Sequence, residues 1–479
     1  MGSKLGPICT LFCVLAVAAA YLPFQLTLET EYERNEMEGD REYVEYLVAM
    51  GRVEESFTPT TPDPTPTPSV ESDAPDPINY VLWLNISGFR GDYVDNSSAP
   101  FFAELANASH STARMSPTFP SVHWPSLVSQ ATGLQPAQHG VIGESMRDPE
   151  TGEIVLRPTN LQLLKGEPIW TTAKRQGIRV LVHDWPFSQE QPDEHAADIF
   201  LPEFDPDLSD EDRLKALLDA WTSDTGEEKI RLVMANLQDL NKAGERHGAR
   251  SDSTYLEFEK LDKTISGFFD DLSEAWPKLN RGKDVLWVFL TTDHGMGEVK
   301  SLINFDEFVS EEIRSRLKYS VDHTIAHLWL DLPEGTNQEK FIEAMDDELG
   351  TPIFWKMYRP EEMPENWNFP TEGVGERILA LQPGYRFTTK SGPEPIYGVE
   401  DSEDGPFATG GYAPSTSSRM RGQAYIFTFP EPSAASDMKS IYAVQLYPTA
   451  CQLLGIIPAA DADAQPLEVD SAAAEEMEE

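Results

Sequence analysis

The stretch VFLTTDHGMG, residues 288–297, is an apolar run that ends in an acid, a histidine and two glycines. Asp293 and His294 offer a carboxylate oxygen and an imidazole nitrogen, which are ligands that zinc takes in proteins. The three cysteines do not add a set of thiolate ligands, since two lie in the apolar N-terminal stretch and the third stands alone. Two ligands do not hold zinc tightly, so further oxygen and nitrogen ligands have to come from other parts of the chain.

The elements that position Asp293 and His294 are predicted from apolar runs rich in branched residues. Nearly continuous runs of this kind are typical of strands that are buried on both faces, as in a parallel sheet. They are YVLWLNI (80–86), IRVLVHD (178–184), IRLVMANL (230–237) and DVLWVFLTT (284–292). Helix-like stretches lie between them, at 167–177 and 254–276 for example. The alternation predicts an α/β fold with a doubly wound, mostly parallel sheet flanked by helices, and with its working residues at the carboxyl ends of the strands.

Composition divides the chain into segments of different character. Prolines alternating with threonines predict a semi-rigid extended stalk, and acidic runs with few aromatic residues predict disorder. The predicted segments are a signal-anchor or transmembrane segment (1–29), an acidic Thr/Pro-rich stalk (30–77), an α/β core (78–299), an inserted cap lobe (300–400), the completion of the core (401–460) and an acidic disordered tail (461–479).

The uncharged stretch at residues 8–28 is about long enough to cross a membrane as a helix. We expect a single-pass protein with Lys4 on the cytoplasmic side and its bulk lumenal or extracellular, in the secretory pathway, the vacuole or at the cell surface. The alternative is secretion after cleavage of a signal peptide. Glycosylation sequons suit that compartment: Asn96 and Asn107 are the better candidates, while Asn85 is expected to be inaccessible within a strand.

The charge balance excludes one class of partner. Lys and Arg number 37 against 81 Asp and Glu, a formal net charge of −44, which repels phosphate backbones at long range. We therefore expect no nucleic acid among the partners. The predicted partners are the membrane, through the N-terminal helix, and a lumenal or extracellular ligand that the sequence does not identify.

Several blocks of sequence, taken in order, carry a family resemblance. They are NISGFRGDY after the first apolar run, FPSVHWP followed by TGLQPAQHGVIG, then NKAGERHG, and then DHGMG. Over about residues 78 to 458 the chain resembles the nucleotide pyrophosphatase/phosphodiesterase (type I phosphodiesterase) family of the alkaline phosphatase superfamily. The resemblance implies an alkaline-phosphatase-like fold and a two-zinc phosphodiesterase site. In such a site the metals neutralise charge on the phosphoryl group and activate a hydroxyl nucleophile at a helix N-terminus.

This chain departs from the family pattern at most of the positions that matter, so we predict a degenerate site. His123 stands where the family has its threonine nucleophile. The departures at metal-ligand positions are Ser87 for an aspartate, Asn241 for an aspartate, Glu245 for a histidine and Gly410 for a histidine. Of the ligands in these blocks, only Asp293 and His294 remain.

Two interpretations of the remaining residues stay open from the sequence. In one, His123 turns its imidazole toward Asp293 and His294, and the three hold at most one zinc ion in a residual single-metal site. In the other, which we favour, His123 fills the vacant position and hydrogen-bonds Asp293, and no metal binds. Asp293 and His294 would then persist for the hydrogen bonds they make in the tight turn through Gly295 and Gly297.

The leading functional hypothesis is a membrane-anchored, secretory-pathway pseudoenzyme that keeps the phosphodiesterase fold and acts by binding. The loss of a nucleophile and of ligands for both metals removes the means of stabilising the transition state. The alternative is an active nucleotide pyrophosphatase/phosphodiesterase, a phosphoric diester hydrolase, with an atypical single-metal site and either water or His123 as the nucleophile. A third possibility is a purely structural, stalked surface protein.

Overall fold

The computed structural model describes residues 77–469, except residues 190, 202–204, 206, 391, 404 and 433–434. The sheets, helices and site residues lie within residues 77–414 and 419–469. Within the described ranges, no helix is both long and apolar enough to cross a membrane. The predicted membrane segment at 8–28 lies outside these ranges, as does the stalk up to residue 76.

Strands occur throughout the described part of the chain. In chain order they are β1 (Asn79–Ile86), β2 (His110–Ser116), β3 (Ser145–Arg147), β4 (Ile154–Leu156), β5 (Arg179–His183), β6 (Ile199–Leu201), β7 (Ile230–Leu237), β8 (Val285–Thr291), β9 (Gly297–Glu298), β10 (Ser301–Asn304), β11 (Leu317–Asp322), β12 (Ile325–Leu330), β13 (Trp355–Tyr358), β14 (Arg377–Leu381), β15 (Tyr385–Thr388), β16 (Ile396–Gly398), β17 (Ala408–Thr409), β18 (Gly422–Phe429), β19 (Ser436–Asp437) and β20 (Ile441–Tyr442).

The helices of the described ranges alternate with these strands. In chain order they are Pro100–Ala108, His123–Thr132, Pro136–His139, Ile169–Arg175, Asp210–Ser223, Asp239–His247, Asp252–Leu279, Phe305–Phe308, Glu311–Arg314, Gln338–Leu349 and Leu446–Leu454. The helices predicted at 167–177 and 254–276 are both confirmed, the second extending to Asp252–Leu279.

The main sheet has the strand order β19-β2-β18-β8-β1-β7-β5-β6, and β20 pairs with β2. Strands β8, β1, β7, β5 and β6 run parallel to one another, while β18 is antiparallel to both β8 and β2. The four predicted apolar strands are β1, β5, β7 and β8, so the strand assignments and the mostly parallel sheet are confirmed. The carboxyl ends of neighbouring parallel strands lie at the same edge of a sheet. The residues that follow β1, β7 and β8 are therefore close together at this edge.

Burial on both faces explains the apolar runs. Along β1, Val81 and Trp83 pack into one hydrophobic cluster, while Tyr80, Leu82 and Leu84 pack into another. Alternate side chains of a strand point to opposite faces, so each cluster lies on one face of the sheet. Helix Asp252–Leu279 contributes apolar residues to one cluster. Helices His123–Thr132, Ile169–Arg175 and Leu446–Leu454 contribute to the other.

The segment predicted as a cap lobe forms two smaller sheets of its own. One has the order β11-β12-β14-β13 and the other the order β15-β10-β16. Helix Gln338–Leu349 packs against the first through Phe341, Met345 and Leu349, within a third hydrophobic cluster. The tight turn between β11 and β12 passes through His323, whose φ of 45° is unusual for a residue other than glycine.

The C-terminal segment differs in part from the predicted disordered tail. Leu467 is buried in the main core, and its N–H donates to the hydroxyl of Thr449. Residues 461–469 are therefore packed against the core, because this acidic stretch still carries apolar side chains that can be buried. Residues 470–479 lie outside the described ranges.

Candidate functional site

The site lies where the central strands of the main sheet end. Ser87 follows β1 and Asp293 comes two residues after β8. Asn236 lies near the end of β7 and is paired in register with Asn85 of β1. All four side chains are essentially buried. The sheet therefore brings together residues that are up to about two hundred positions apart in sequence, as the doubly wound fold predicts.

The carboxylate of Asp293 accepts hydrogen bonds from four protein donors. Its Oδ2 accepts from the hydroxyl of Ser87 at 2.8 Å and contacts Nδ1 of His123 at 2.6 Å. Its Oδ1 accepts the backbone N–H of Gly88 at 3.2 Å and that of His294 at 2.8 Å. A carboxylate has about four lone-pair positions, so these donors use its full capacity. The predicted hydrogen bond between His123 and Asp293 is confirmed.

His123 is the first residue of the helix His123–Thr132, and its ring is held on both sides. Nδ1 contacts Asp293, while Nε2 lies 3.2 Å from the side-chain nitrogen of Asn236. Asn236 is in turn held by the side-chain amide of Asn85, whose Nδ2 donates to Asn236 Oδ1 at 2.8 Å. The His123 side chain keeps 16% of its surface exposed, so one edge of the ring is still open to solvent.

The short contact between His123 and Asp293 shifts the pKa of both groups. Burial on its own raises the pKa of Asp293, but the charge on His294 and the hydrogen bond from His123 outweigh it and hold this pKa well below its ordinary value. Burial lowers the pKa of His123, but the hydrogen bond and charge of Asp293 outweigh it and raise that pKa. When His123 is protonated, the Asn236 amide has to turn its oxygen toward Nε2, since amide orientation is assigned from the surrounding hydrogen bonds.

The backbone at Gly410, where the family resemblance places a ligand histidine, leaves no room for a side chain. A Cβ atom on Gly410 would lie 2.5 Å from the carbonyl oxygen of Ser121 and 2.8 Å from Nδ1 of His294. His294 is fixed there because its Nδ1 also contacts the carbonyl oxygen of Gly295 at 2.6 Å. The N–H of His294 also donates to Asp293 Oδ1, so both residues make hydrogen bonds within the turn. That they persist for this reason stays a prediction.

The other degenerate positions, Asn241 and Glu245, lie one turn apart on the helix Asp239–His247. Glu245 Oε1 is 3.3 Å from Nη1 of Arg386 and 3.7 Å from Nδ1 of His323, two residues of the lobe. Among the described residues, Asn241 Oδ1 has no hydrogen-bond partner, although it is buried. A guanidinium group therefore lies against the carboxylate that occupies a family metal-ligand position.

Sequence reasoning missed Arg386, His323 and Asn236. Arg386 lies in β15 and His323 in a lobe turn, so both reach the site only through tertiary folding. One signal in the sequence is the charged pair Asp322 and His323 between two apolar strands. A tight turn with charged residues is usually a solvated surface feature, so this pair alone does not indicate a site.

The side chains present do not fit the metal ions that the family resemblance implies. Within the described ranges, no group of three or more His, Cys, Asp or Glu residues is placed to hold a metal ion. A zinc ion bound by Asp293, His294 and His123 would first have to displace His123 from the carboxylate that it contacts. The residual single-metal site is untested and stays a prediction, as does the loss of the ligands at Ser87, Asn241, Glu245 and Gly410.

Comparison with solved structures defines the class of fold. The murine ectonucleotide pyrophosphatase/phosphodiesterase 5 superposes with a TM-score of 0.66 at 19% identity, covering 83% of this chain and 98% of that one. An inactive variant of the same murine protein, in complex with AMP, superposes with a TM-score of 0.65 at 21% identity, covering 80% and 96%. The fold is thus a mixed α/β fold of the alkaline-phosphatase type. At these identities the likeness concerns the fold alone.

The family follows from sequence comparison. A family model described as type I phosphodiesterase / nucleotide pyrophosphatase matches residues 81–413. The chain belongs to this family, and the resemblance drawn from its motifs is confirmed.

Individual relatives are distant. An uncharacterized pyrophosphatase/phosphodiesterase of Schizosaccharomyces pombe is 25% identical over 312 residues, which are 63% of this chain and 61% of the relative. Ectonucleotide pyrophosphatase/phosphodiesterase family member 1 of Mus musculus is 25% identical over 391 residues, 79% of this chain and 41% of the relative. The match therefore spans less than two thirds of either relative.

Proposed function

We propose that this member of the phosphodiesterase family is a pseudoenzyme, which has lost two-zinc hydrolysis and acts by binding a ligand at the carboxyl ends of the central strands. The observation that carries the proposal is the Asp293 carboxylate, whose lone pairs are taken up by four protein donors. Hydrolysis in this family is expected to need metal ions that neutralise charge on the phosphoryl group. The side-chain hydroxyl is also missing at the helix N-terminus, where His123 stands.

A hydrolysis assay tests this proposal. The purified full chain is incubated with a p-nitrophenyl phosphodiester and with graded free zinc, beside the variant Asp293→Asn. We expect both proteins to give the same background rate, because neither binds zinc at this carboxylate. Zinc-dependent turnover by the unmodified chain that is absent from the variant would contradict the proposal.

A second candidate function is favoured by one contact. A histidine whose Nδ1 is held by a buried carboxylate presents Nε2 as a base or nucleophile, and His123 has this arrangement with part of its ring exposed. In this alternative Nε2 leaves its contact with Asn236 and attacks the phosphorus of a diester. The P–N bond forms as the P–O bond to the leaving group breaks, and the departing oxygen takes a proton from solvent. Water later breaks the P–N bond, which releases the phosphate monoester and restores His123.

Trapping the intermediate separates this candidate from the first. Mass spectrometry of the chain after brief exposure to the diester would reveal an acid-labile phosphoryl group on His123. The variant His123→Ala should lose it, and His247→Ala, which alters an exposed histidine, should keep it. With the pseudoenzyme, no phosphoryl group is found in any of the three proteins.

The proposed location is the lumenal or extracellular side of a membrane, with the segment at 8–28 as a signal-anchor. The length and lack of charge of that segment support it. The name of the mouse relative, an ectonucleotide pyrophosphatase/phosphodiesterase, is consistent with it. Protease protection of the bulk of the chain in sealed vesicles tests the orientation, and digestion without detergent would contradict it.

A further inference from the structure

We infer that Arg386 takes the place of the first metal ion as a fixed positive charge, and that the site binds a small oxyanion, such as an organic phosphate, without any metal. This inference rests on the proposed function, because it names the ligand class of the same site.

The first observation is the contact with Glu245. Its Oε1 lies 3.3 Å from Nη1 of Arg386, and the two side chains are 28% and 15% exposed. An arginine stays protonated at any ordinary pH, so its charge cannot be removed to admit a second cation. A divalent ion bound to Glu245 would be repelled by the guanidinium at close range. The arginine and the metal ion are therefore alternatives at this carboxylate.

The second observation is that the guanidinium has unused donors. Its Nε is buried and, among the described residues, has no hydrogen-bond partner. A guanidinium carries five N–H donors in a planar fork that matches the oxygens of phosphate or carboxylate. The contact with Glu245 involves only Nη1 of Arg386 and is long, at 3.3 Å. An incoming oxyanion can satisfy the remaining donors.

The third observation is that basic side chains gather around Glu245 in a strongly acidic protein. Nη1 of Arg386 lies 3.3 Å from Glu245 Oε1, and Nδ1 of His323 lies 3.7 Å from the same oxygen. His323 Nδ1 also lies 3.1 Å from the hydroxyl of Thr409. Both basic residues lie at this carboxylate although the chain as a whole carries a net charge of −44.

The nearby carboxylates are largely compensated. Asp293 is saturated by its four donors, and Glu144 receives two nitrogens of Arg157, at 3.0 and 2.9 Å. Burial, followed by the charge of Glu144, raises the pKa of Asp322 to about 7, so this group is partly protonated at neutral pH. Glu245 is the carboxylate that competes directly with a bound anion for Arg386. An anion at Arg386 therefore competes mainly with Glu245, while Asp322 contributes a partial negative charge.

Calorimetric titration of the full chain in excess EDTA tests the inference, with inorganic phosphate, AMP and adenosine as the probes. We expect phosphate and AMP to bind and adenosine, which lacks the phosphate, to bind far more weakly. Added zinc should not tighten AMP binding. Binding of AMP that requires zinc, or equal affinity for AMP and adenosine, would overturn the inference.

Variants identify the residue responsible. Arg386→Gln removes the charge and leaves a shorter polar side chain, so AMP should bind about tenfold more weakly or worse. Arg359→Gln, which changes an arginine of the lobe that is 56% exposed, should leave affinity unchanged. Glu245→Gln should tighten AMP binding, because it releases Arg386 from its competitor, and lost stability alone would not produce this gain. Unchanged affinity in Arg386→Gln, or weaker affinity in Glu245→Gln, would contradict the inference.

The same protein samples separate the two proposals. Zinc-dependent hydrolysis of the diester would contradict the proposed function and, with it, this inference. If the chain neither hydrolyses the diester nor binds AMP in EDTA, only this inference is contradicted.

Discussion

At the scale of single residues, the substitutions in this site form a consistent set. Ser87 supplies a hydroxyl to the Asp293 oxygen, and His123 supplies a ring nitrogen to the same oxygen. Both positions are ones that the family resemblance assigns to metal chemistry, and in this chain both supply a hydrogen-bond donor. A buried carboxylate without a metal ion needs such donors, because an unpaired buried charge is costly. The hydrogen bonds thus stabilise the buried charge of Asp293.

The packing at Gly410 gives a prediction for stability. Gly410→Ala should lower the free energy of unfolding by about 1–3 kcal/mol, because its Cβ would overlap the Ser121 carbonyl and the His294 ring. Urea unfolding measures the change. The control Gly267→Ala adds a methyl group on the exposed side of helix Asp252–Leu279, where nothing lies within 4 Å, and should stabilise by about 0.5–1 kcal/mol. Equal stability of Gly410→Ala and the unmodified chain would show that this space is not filled.

The pairing of His123 with Asp293 gives a prediction for titration. In Asp293→Asn the ring stays buried without its counter-charge, so the pKa of His123 should fall below its ordinary value of 6.5 instead of lying above it. NMR titration of the imidazole ring measures this pKa, with exposed His247 as the internal control. A His123 pKa that is unaffected by the substitution would show that Asp293 does not set it.

The same pair predicts how stability depends on pH. The lowered pKa of Asp293 stabilises the fold at pH values above 3.8, the pKa of this group in the unfolded chain. This stabilisation is lost as the pH falls through the pKa of the folded chain. The raised pKa of His123 stabilises the fold at pH values below 6.5, the pKa of this group in the unfolded chain. This stabilisation is lost as the pH rises through the pKa of the folded chain. Asp293→Asn should therefore lower the free energy of unfolding most, by about 3 kcal/mol, between about pH 4 and about pH 6.5. A cost that is the same at all pH values would contradict the pairing.

At the scale of elements, two helix N-termini are joined by reciprocal capping. Asp210 begins the helix Asp210–Ser223, and its carboxylate accepts the backbone N–H groups of Gln238 and Asp239 at the start of the next helix. Asp239 returns the contact by accepting the N–H of Asp210 at 2.9 Å. Each carboxylate satisfies donors that a helix terminus leaves unpaired. This contact fixes the start of the helix that carries Asn241 and Glu245.

The capping pair gives a prediction for pH dependence. Burial, then the charge of Asp239, raises the pKa of Asp210 to about 7, so the folded chain keeps a proton that the unfolded chain releases near pH 3.8. Folding stability should therefore decline as the pH rises from about 4 to about 7. In Asp210→Asn this decline should be smaller, whereas Asp212→Asn, an exposed change in the same turn, should retain it. Urea unfolding at several pH values measures the slopes, and equal slopes in all three proteins would contradict the assignment.

Sequence reasoning identified the elements and the positions that depart from the family pattern, but not the contact between Arg386 and Glu245. Strands such as β1 and β8 were predictable because their apolar residues run without interruption, as burial on both faces requires. The degenerate positions were readable because each lies in a short motif. Arg386 and Glu245 are far apart in sequence and meet only when the lobe packs on the core, so no local pattern marked the contact.

At the scale of the whole molecule, the surface bears on where the protein resides. Asn85 lies in β1 and is fully buried, as predicted, while Asn96 and Asn107 are exposed. If the bulk of the protein is lumenal or extracellular, Asn96→Gln and Asn107→Gln should each lose one glycan in a gel-mobility assay, and Asn85→Gln should lose none. Absence of any glycan on the unmodified chain would contradict the proposed location.

The measurement that tests the central claim most directly is the zinc content of the full chain. The protein is equilibrated with buffered free zinc, separated from unbound metal and analysed by inductively coupled plasma mass spectrometry. Because Asp293 is saturated and Arg386 lies against Glu245, we predict well under one tightly bound zinc ion per chain. Two zinc ions per chain, both lost in Asp293→Asn, would contradict the account.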